Sequence, residues 1–196
     1  MKIFVSLMLC FLFTSFLSVA QTRFELPAGK YITEISHRIA LTQVGISDAK
    51  NPSVVREYLR AAGVGYYNPF CQSGQYWSFV QAKKVITWVN STFGVAMSVT
   101  IPIPKSALAN SSYNYAIKKG TKTSYIPHKY DLLIWRAANG VNGHIERVDS
   151  VFTGGWVRCI GFNTGNRQVK ITKRNIYHIL GRLQVRGLVG FRYESN

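Results

Sequence analysis

Acidic residues are scarce in this chain: 8 Asp and Glu stand against 24 Lys and Arg, a formal net charge of +16 at pH 7. Such a balance draws a protein toward polyanions, whether nucleic acid, anionic lipid or an anionic cell wall. Cysteine is nearly absent, with only Cys10, Cys71 and Cys159, and no Cys/His cluster has metal-ligand spacing, so no metal or other cofactor is expected. No apolar run of about 18 residues or more follows the first twenty, which excludes a later membrane span. Low-complexity linkers and internal repeats are also missing. That leaves one ordinary domain of about 176 residues after residue 20.

The first twenty residues read as a signal peptide. Lys2 gives the positive start, Ile3 to Val19 the apolar stretch, and Ser18-Val19-Ala20 a small-x-small cleavage site before Gln21. Cys10 lies inside it, preceded by Leu9 rather than a small residue, which argues against a lipoprotein. The expectation is a protein secreted or periplasmic, with residues 21–196 as its single domain and no stable membrane insertion. Cleavage removes only Lys2 among the charges, leaving about +15. Export lowers the case for nucleic acid, and none is expected as a partner. The plainest use of the charge is solubility with loose adhesion to a wall.

Periodicity divides the chain in two. Glu34 to Val44 has apolar residues at helical spacing. Pro52 to Ala62 is a second amphipathic helix, with Pro in its first turn and Gly63 past its end. The stretch "NPFCQSGQYWSF" predicts a third, capped by Asn68, with Pro69 at its first position and Cys71 in its first turn, running to about Val89. A shorter helix is expected over Lys105 to Lys118. From Tyr130 the pattern turns to strands: "YDLLIWR", "HIERVDSVF" and "WVRCIGF", the last two joined by a "TGG" hairpin turn, then "RQVKITK" and "GRLQVRGLVGFRY". Helices first and antiparallel strands after indicate an α+β fold, with the helices packed on one side of the sheet.

Cys71 raises the chemical question. A nucleophilic cysteine must be a thiolate, and the first turn of a helix favours an anion through its unpaired N–H groups and its dipole. The same N–H groups can hold an oxyanion. The two cysteines of the mature chain could instead form a disulfide, the default for a pair in an oxidising compartment. Among His37, His128, His144 and His178, His144 stands out, after a glycine at the start of a strand. A lone histidine is more often an ordinary surface or core residue. The hairpin supplies a test. If it turns at Thr153-Gly154, His144 lies opposite Asn163; if at Gly154-Gly155, Asn163 is the diagonal neighbour. Both registers put the two on one face, unless a bulge breaks the parity. Asn163 could orient the imidazole, or be a turn residue in "GFNTGN". Cys159 and Gly161 share that face, which keeps the bridge to Cys71 open.

The order Cys at a helix start, Gly-His at a strand start and Asn ending the next strand resembles the CHAP domain, the cysteine, histidine-dependent amidohydrolases/peptidases with a papain-like core. "YDLLIWR" is similar to the family's Gly-Asp-aliphatic strand, with Tyr130 where Gly is usual. "NGHIERV" resembles Gly-His-aliphatic, and "CIGFNTG" resembles the strand ending Glu-Gly-Asn-Thr. The resemblance spans roughly residues 34–193. It implies Cys71 as nucleophile and His144 as base. The family's Glu position is Gly161 here, leaving Asn163 as the third residue; Glu146 is read as a surface charge.

The resemblance implies a thiol-dependent hydrolase of peptidoglycan, acting on the muramoyl–L-alanine amide as an amidase or on a peptide bond as an endopeptidase, and working as a monomer. Tyr66, Tyr67, Phe70 and Trp77 are candidates to lie beside the substrate, with core packing favoured for the last two. The rival is a non-catalytic, basic wall-binding domain stapled by a Cys71–Cys159 disulfide. A protein of anionic lipid surfaces is a third possibility.

Overall fold

A computed structural model describes residues 24–25, 29–94, 99–123 and 125–192. The expected signal peptide, residues 1–20, lies outside the described residues. Four helices precede the main strands: α1 (Gly29–Thr42), α2 (Pro52–Ala62), α3 (Cys71–Thr92) and α4 (Ala109–Lys119). Six strands form an antiparallel sheet in the order β2-β7-β3-β4-β5-β6. They are β2 (Lys122–Thr123), β3 (Leu132–Ala137), β4 (Gly143–Val151), β5 (Trp156–Thr164), β6 (Gln168–Asn175) and β7 (Leu183–Val189). A small parallel pair joins β1 (Phe24–Glu25) to β8 (Phe191–Arg192). The α+β class holds. Among the described residues, no helix is long and apolar enough to cross a membrane.

The helix limits follow local chemistry. α2 has Pro52 in its first turn and ends at Gly63, which takes the left-handed conformation (φ 77°) that closes a helix. α3 corrects the expected start. Pro69 is not its first residue and Asn68 does not cap it; Asn68 instead donates to the carbonyl of Gly65 (3.0 Å). Phe70 is the N-cap and makes no side-chain hydrogen bond to the helix. Cys71 is therefore the first helical residue.

α3 is the pillar of the domain. α1 and α2 pack on it, and it packs on β4 and β5. At the contact with β5 the helix carries Gly74, where an added Cβ would lie 2.1 Å from the ring of Phe162. The absent side chain lets helix and strand approach. Beside it, Tyr58 of α2 meets Phe162 edge-on (centroids 5.3 Å apart, 88°) and Trp77 at 4.9 Å and 63°. Aromatic pairs of this kind add about 0.5–1.5 kcal/mol each beyond area burial. Gln75 also donates to the carbonyl of Ile160 (3.1 Å). The start of α3 is thus fixed against the end of β5 by packing and by a buried hydrogen bond.

The sheet is apolar on both faces. Ile134 and Ile145 pack with Phe79 and Ile86 of α3. Leu133, Trp135, Val148, Val157 and Cys159 form a second core on the other face, closed by Ile176, Leu180 and Leu183. Along β4 the alternation puts His144, Glu146 and Val148 on that second face, between Ile145 and Arg147 on the helix side. Arg147 is fully buried there and donates to Ser36 (2.8 Å) and Ser78 (3.0 Å), joining α1 and α3 to β4.

Candidate active site

Cys71 begins a helix of 22 residues whose cap offers no side chain to its first N–H groups. Its thiol is buried, 3 % exposed, in the core between helices and sheet. His144, second residue of β4, reaches toward it from the end of the strand, near enough that the Cys71 sulfur raises the His144 pKa. The Nε2 of His144 donates to Glu146 Oε1 at 3.0 Å, which leaves Nδ1 for the sulfur. The expected pair of Cys71 and His144 is therefore brought together in space.

The third partner is Glu146, which the sequence reading placed on the surface. It is fully buried, and both its oxygens are occupied. Arg174 of β6 grips it in a fork, Nη2 to Oε1 at 2.6 Å and Nε to Oε2 at 2.9 Å. Thr172 of the same strand donates to Oε2. Bidentate guanidinium–carboxylate pairs are among the stronger charge-assisted hydrogen bonds. Burial alone favours the neutral acid, but the hydrogen bonds and charges of His144 and Arg174 prevail and hold Glu146 down to about 2. For His144 burial would favour the neutral ring; the hydrogen bonds and charges of Cys71 and Glu146 outweigh it and raise the pKa to about 9. At neutral pH the imidazole is a cation between a sulfur and a carboxylate.

Asn163 does not hold His144. Near the site the strands are in the register that would set the two residues opposite, with Glu146 facing Gly161 and Val148 facing Cys159. The ladder between β4 and β5 stops at Glu146–Gly161, and the β5–β6 register slips between Gly161 and Thr164. Asn163 sits in that irregularity with φ 56°, and its buried amide oxygen has no hydrogen-bond partner among the described residues. Its neighbour Gly161 accounts for the carboxylate. A Cβ at 161 would lie 2.8 Å from Glu146 Oε1 and 2.9 Å from its Cδ. The position where the resemblance implies an acid has no side chain, and the Thr164 hydroxyl together with the carboxylate of its cross-strand partner fills that space.

The remaining candidates fall elsewhere. Cys71 and Cys159 are both free thiols, so the expected alternative of a bridge between them is not formed. Cys159 is fully buried in the second core, and burial pushes its thiol well above the ordinary range. His37 bonds Asp149 (2.9 Å) away from this site. Phe70 and Trp77 are core residues, whereas Tyr67 is 90 % exposed. Tyr66 donates to Asp48 (2.5 Å). Among the described residues, no group of three His, Cys, Asp or Glu side chains could hold a metal ion.

These couplings set a pH profile for stability. The raised pKa of His144 adds stability that is complete below about 6.5 and is lost as pH rises through about 9. His37 behaves oppositely. Burial and the charge of Arg147 lower it to about 4, so its contribution is complete above about 6.5 and is lost as pH falls through about 4. Glu146 contributes above about 4.5 and loses that only toward about 2. Scanning calorimetry should find the highest Tm near pH 6.5, falling on both sides; a Tm that climbs steadily to pH 9 would refute the assignment. Comparison of the chain with protein-family models, with curated proteins and with solved structures finds no match.

Proposed function

We propose that the protein is an exported thiol hydrolase with a papain-like core of the CHAP kind, cutting an amide bond of peptidoglycan. One observation carries the reading: a cysteine at an uncapped helix start lies within electrostatic reach of a histidine whose Nε2 is held by a buried carboxylate. Nucleophile, base and orienting group in that order define acyl-transfer chemistry.

The Cys71 sulfur attacks the amide carbonyl carbon, and the carbonyl oxygen takes the negative charge. The N–H groups at the start of α3 stabilise that oxyanion. His144 passes a proton to the leaving nitrogen, the C–N bond breaks, and the acyl group remains as a thioester on Cys71. Water then attacks the thioester, giving its proton to His144, and a carboxylic acid leaves as the sulfur is released. Glu146 keeps the ring in place throughout. The excess of Lys and Arg gathers the enzyme on an anionic wall. Peptidoglycan as the partner, and the choice between amidase and endopeptidase, rest on the CHAP resemblance.

Labelling separates this reading from a purely binding role. Iodoacetamide added to the folded protein without reductant should modify Cys71 rapidly and leave Cys159 intact, as peptide mass spectrometry would report. Absence of labelling at Cys71 until reductant is added would point to a bridged, non-catalytic domain.

A further inference from the structure

Two arginines stand beside the His144 end of the sheet, and among the described residues no acid pairs with either. Arg136 is an exposed residue of β3, paired across the ladder with Gly143, the neighbour of His144. Arg186 lies on β7. There the register with β3 slips: Ile134 faces Gly187, Trp135 faces Val185, and Arg186 is the extra residue between them. A bulge re-aims the side chain it carries. This one turns onto α4. Its Nη1 donates to the backbone oxygen and the Oδ1 of Asn110 (3.2 and 2.9 Å), its Nη2 to Asn114 Oδ1 (2.6 Å), and the guanidinium lies 4.6 Å from the centroid of Tyr113.

Every one of those partners is neutral. Elsewhere the scarce carboxylates are spent on arginines: Arg38, Arg158, Arg167 and Arg174 each have one. Among the described residues neither Arg136 nor Arg186 does, although they are near enough that, after burial, the charge of Arg136 lowers the pKa of Arg186. Like charges brought together cost free energy that an anion between them would recover.

The pair is tied to the site on both sides. Asn110, which holds Arg186, also donates to the carbonyls of Val141 (3.1 Å) and Asn142 (3.4 Å), in the loop that leads into His144. Ser112, on the next part of α4, donates to Gln72 (3.0 Å), the residue after Cys71.

We propose that Arg136 and Arg186 form a carboxylate subsite, which binds an acidic group of the substrate peptide next to the amide to be cut. The arginine fork matches a carboxylate in two hydrogen bonds. Peptide arms of peptidoglycan carry free carboxylates close to their amide bonds. The identity of the substrate rests on the hydrolase reading; the binding preference is measurable without it.

The test uses the inactive Cys71→Ala protein and calorimetric titration with two probes, a muropeptide with free carboxylates and the same muropeptide with them amidated. The free acid should bind at least about tenfold more tightly, the scale of a charged hydrogen bond. Adding Arg136→Gln should cost the free acid about tenfold and leave the amidated probe within about twofold. Arg186→Gln should act likewise. Because Arg186 also anchors α4, that variant is first checked by thermal melting; Arg136, whose side chain makes no hydrogen bond among the described residues, decides the matter if Arg186→Gln does not fold. Equal affinity for the two probes, or a preference unchanged by Arg136→Gln, overturns the subsite. Discrimination without hydrolysis by the unmutated protein keeps the subsite and removes the hydrolase; hydrolysis without discrimination does the reverse.

Discussion

On the proposed hydrolase reading, Glu146→Ala should lower kcat/KM on peptidoglycan by about 10²–10⁴-fold, the scale of losing a group that orients an imidazole base, whereas Asn163→Gly should stay within about threefold. Glu146 is the residue on the Nε2 of His144. Without it the ring is free to turn away from the sulfur, and the carboxylate charge that helps keep it protonated is gone. Asn163 has an amide oxygen with no partner to lose, and glycine accepts its φ of 56° without strain. The assay is run on protein whose circular dichroism matches the parent. A large loss in Asn163→Gly with Glu146→Ala nearly unchanged would return the orienting role to Asn163.

Arg174→Met should destabilise the fold by about 1.5–3 kcal/mol, the scale of hydrogen bonds to a charged group, because the His144 imidazolium still pairs with Glu146. Glu146 is fully buried, and Arg174 supplies two of its hydrogen bonds. His144 and Thr172 remain, but neither replaces the forked guanidinium. The double variant Glu146→Gln/Arg174→Met removes the carboxylate that has lost its fork and should recover about 1 kcal/mol of that loss. Urea unfolding measures both. A shift under about 0.5 kcal/mol for Arg174→Met would mean that the ion pair contributes little to stability.

Where local chemistry decides the structure, the sequence was enough. Pro52 and Gly63 bound α2 as expected, and the change to alternating hydrophobicity after Tyr130 marks the strands of the sheet. Cys71 could be placed in a first turn because Asn-Pro punctuates the chain just before it, although the helix begins two residues later than Pro69. What failed was non-local. Glu146 looked like a surface charge because a strand reading does not say which strands lie on both sides of it; β4 is interior, between β3 and β5. The available signal was parity, since His144 and Glu146 are two apart on one strand and must share a face. Arg174 could be recognised as part of a strand, but its grip on Glu146 depends on the register of β6 against β5. Asn163 lies beyond the last β4–β5 pair, Glu146–Gly161, so the hairpin parity does not carry it to His144; the turn-rich "NTGN" is the hint of that. Gly161 stands where the resembled motif has an acid. In three dimensions its missing side chain makes room for an acid from the neighbouring strand.

The most direct test is mass spectrometry of purified sacculi after incubation with the protein and, separately, with Cys71→Ala. Soluble fragments that carry one new amine and one new carboxyl end at a single type of amide bond are expected, and none above background from Cys71→Ala. Equal release by both proteins, or intact sacculi in both, would overturn the hydrolase reading.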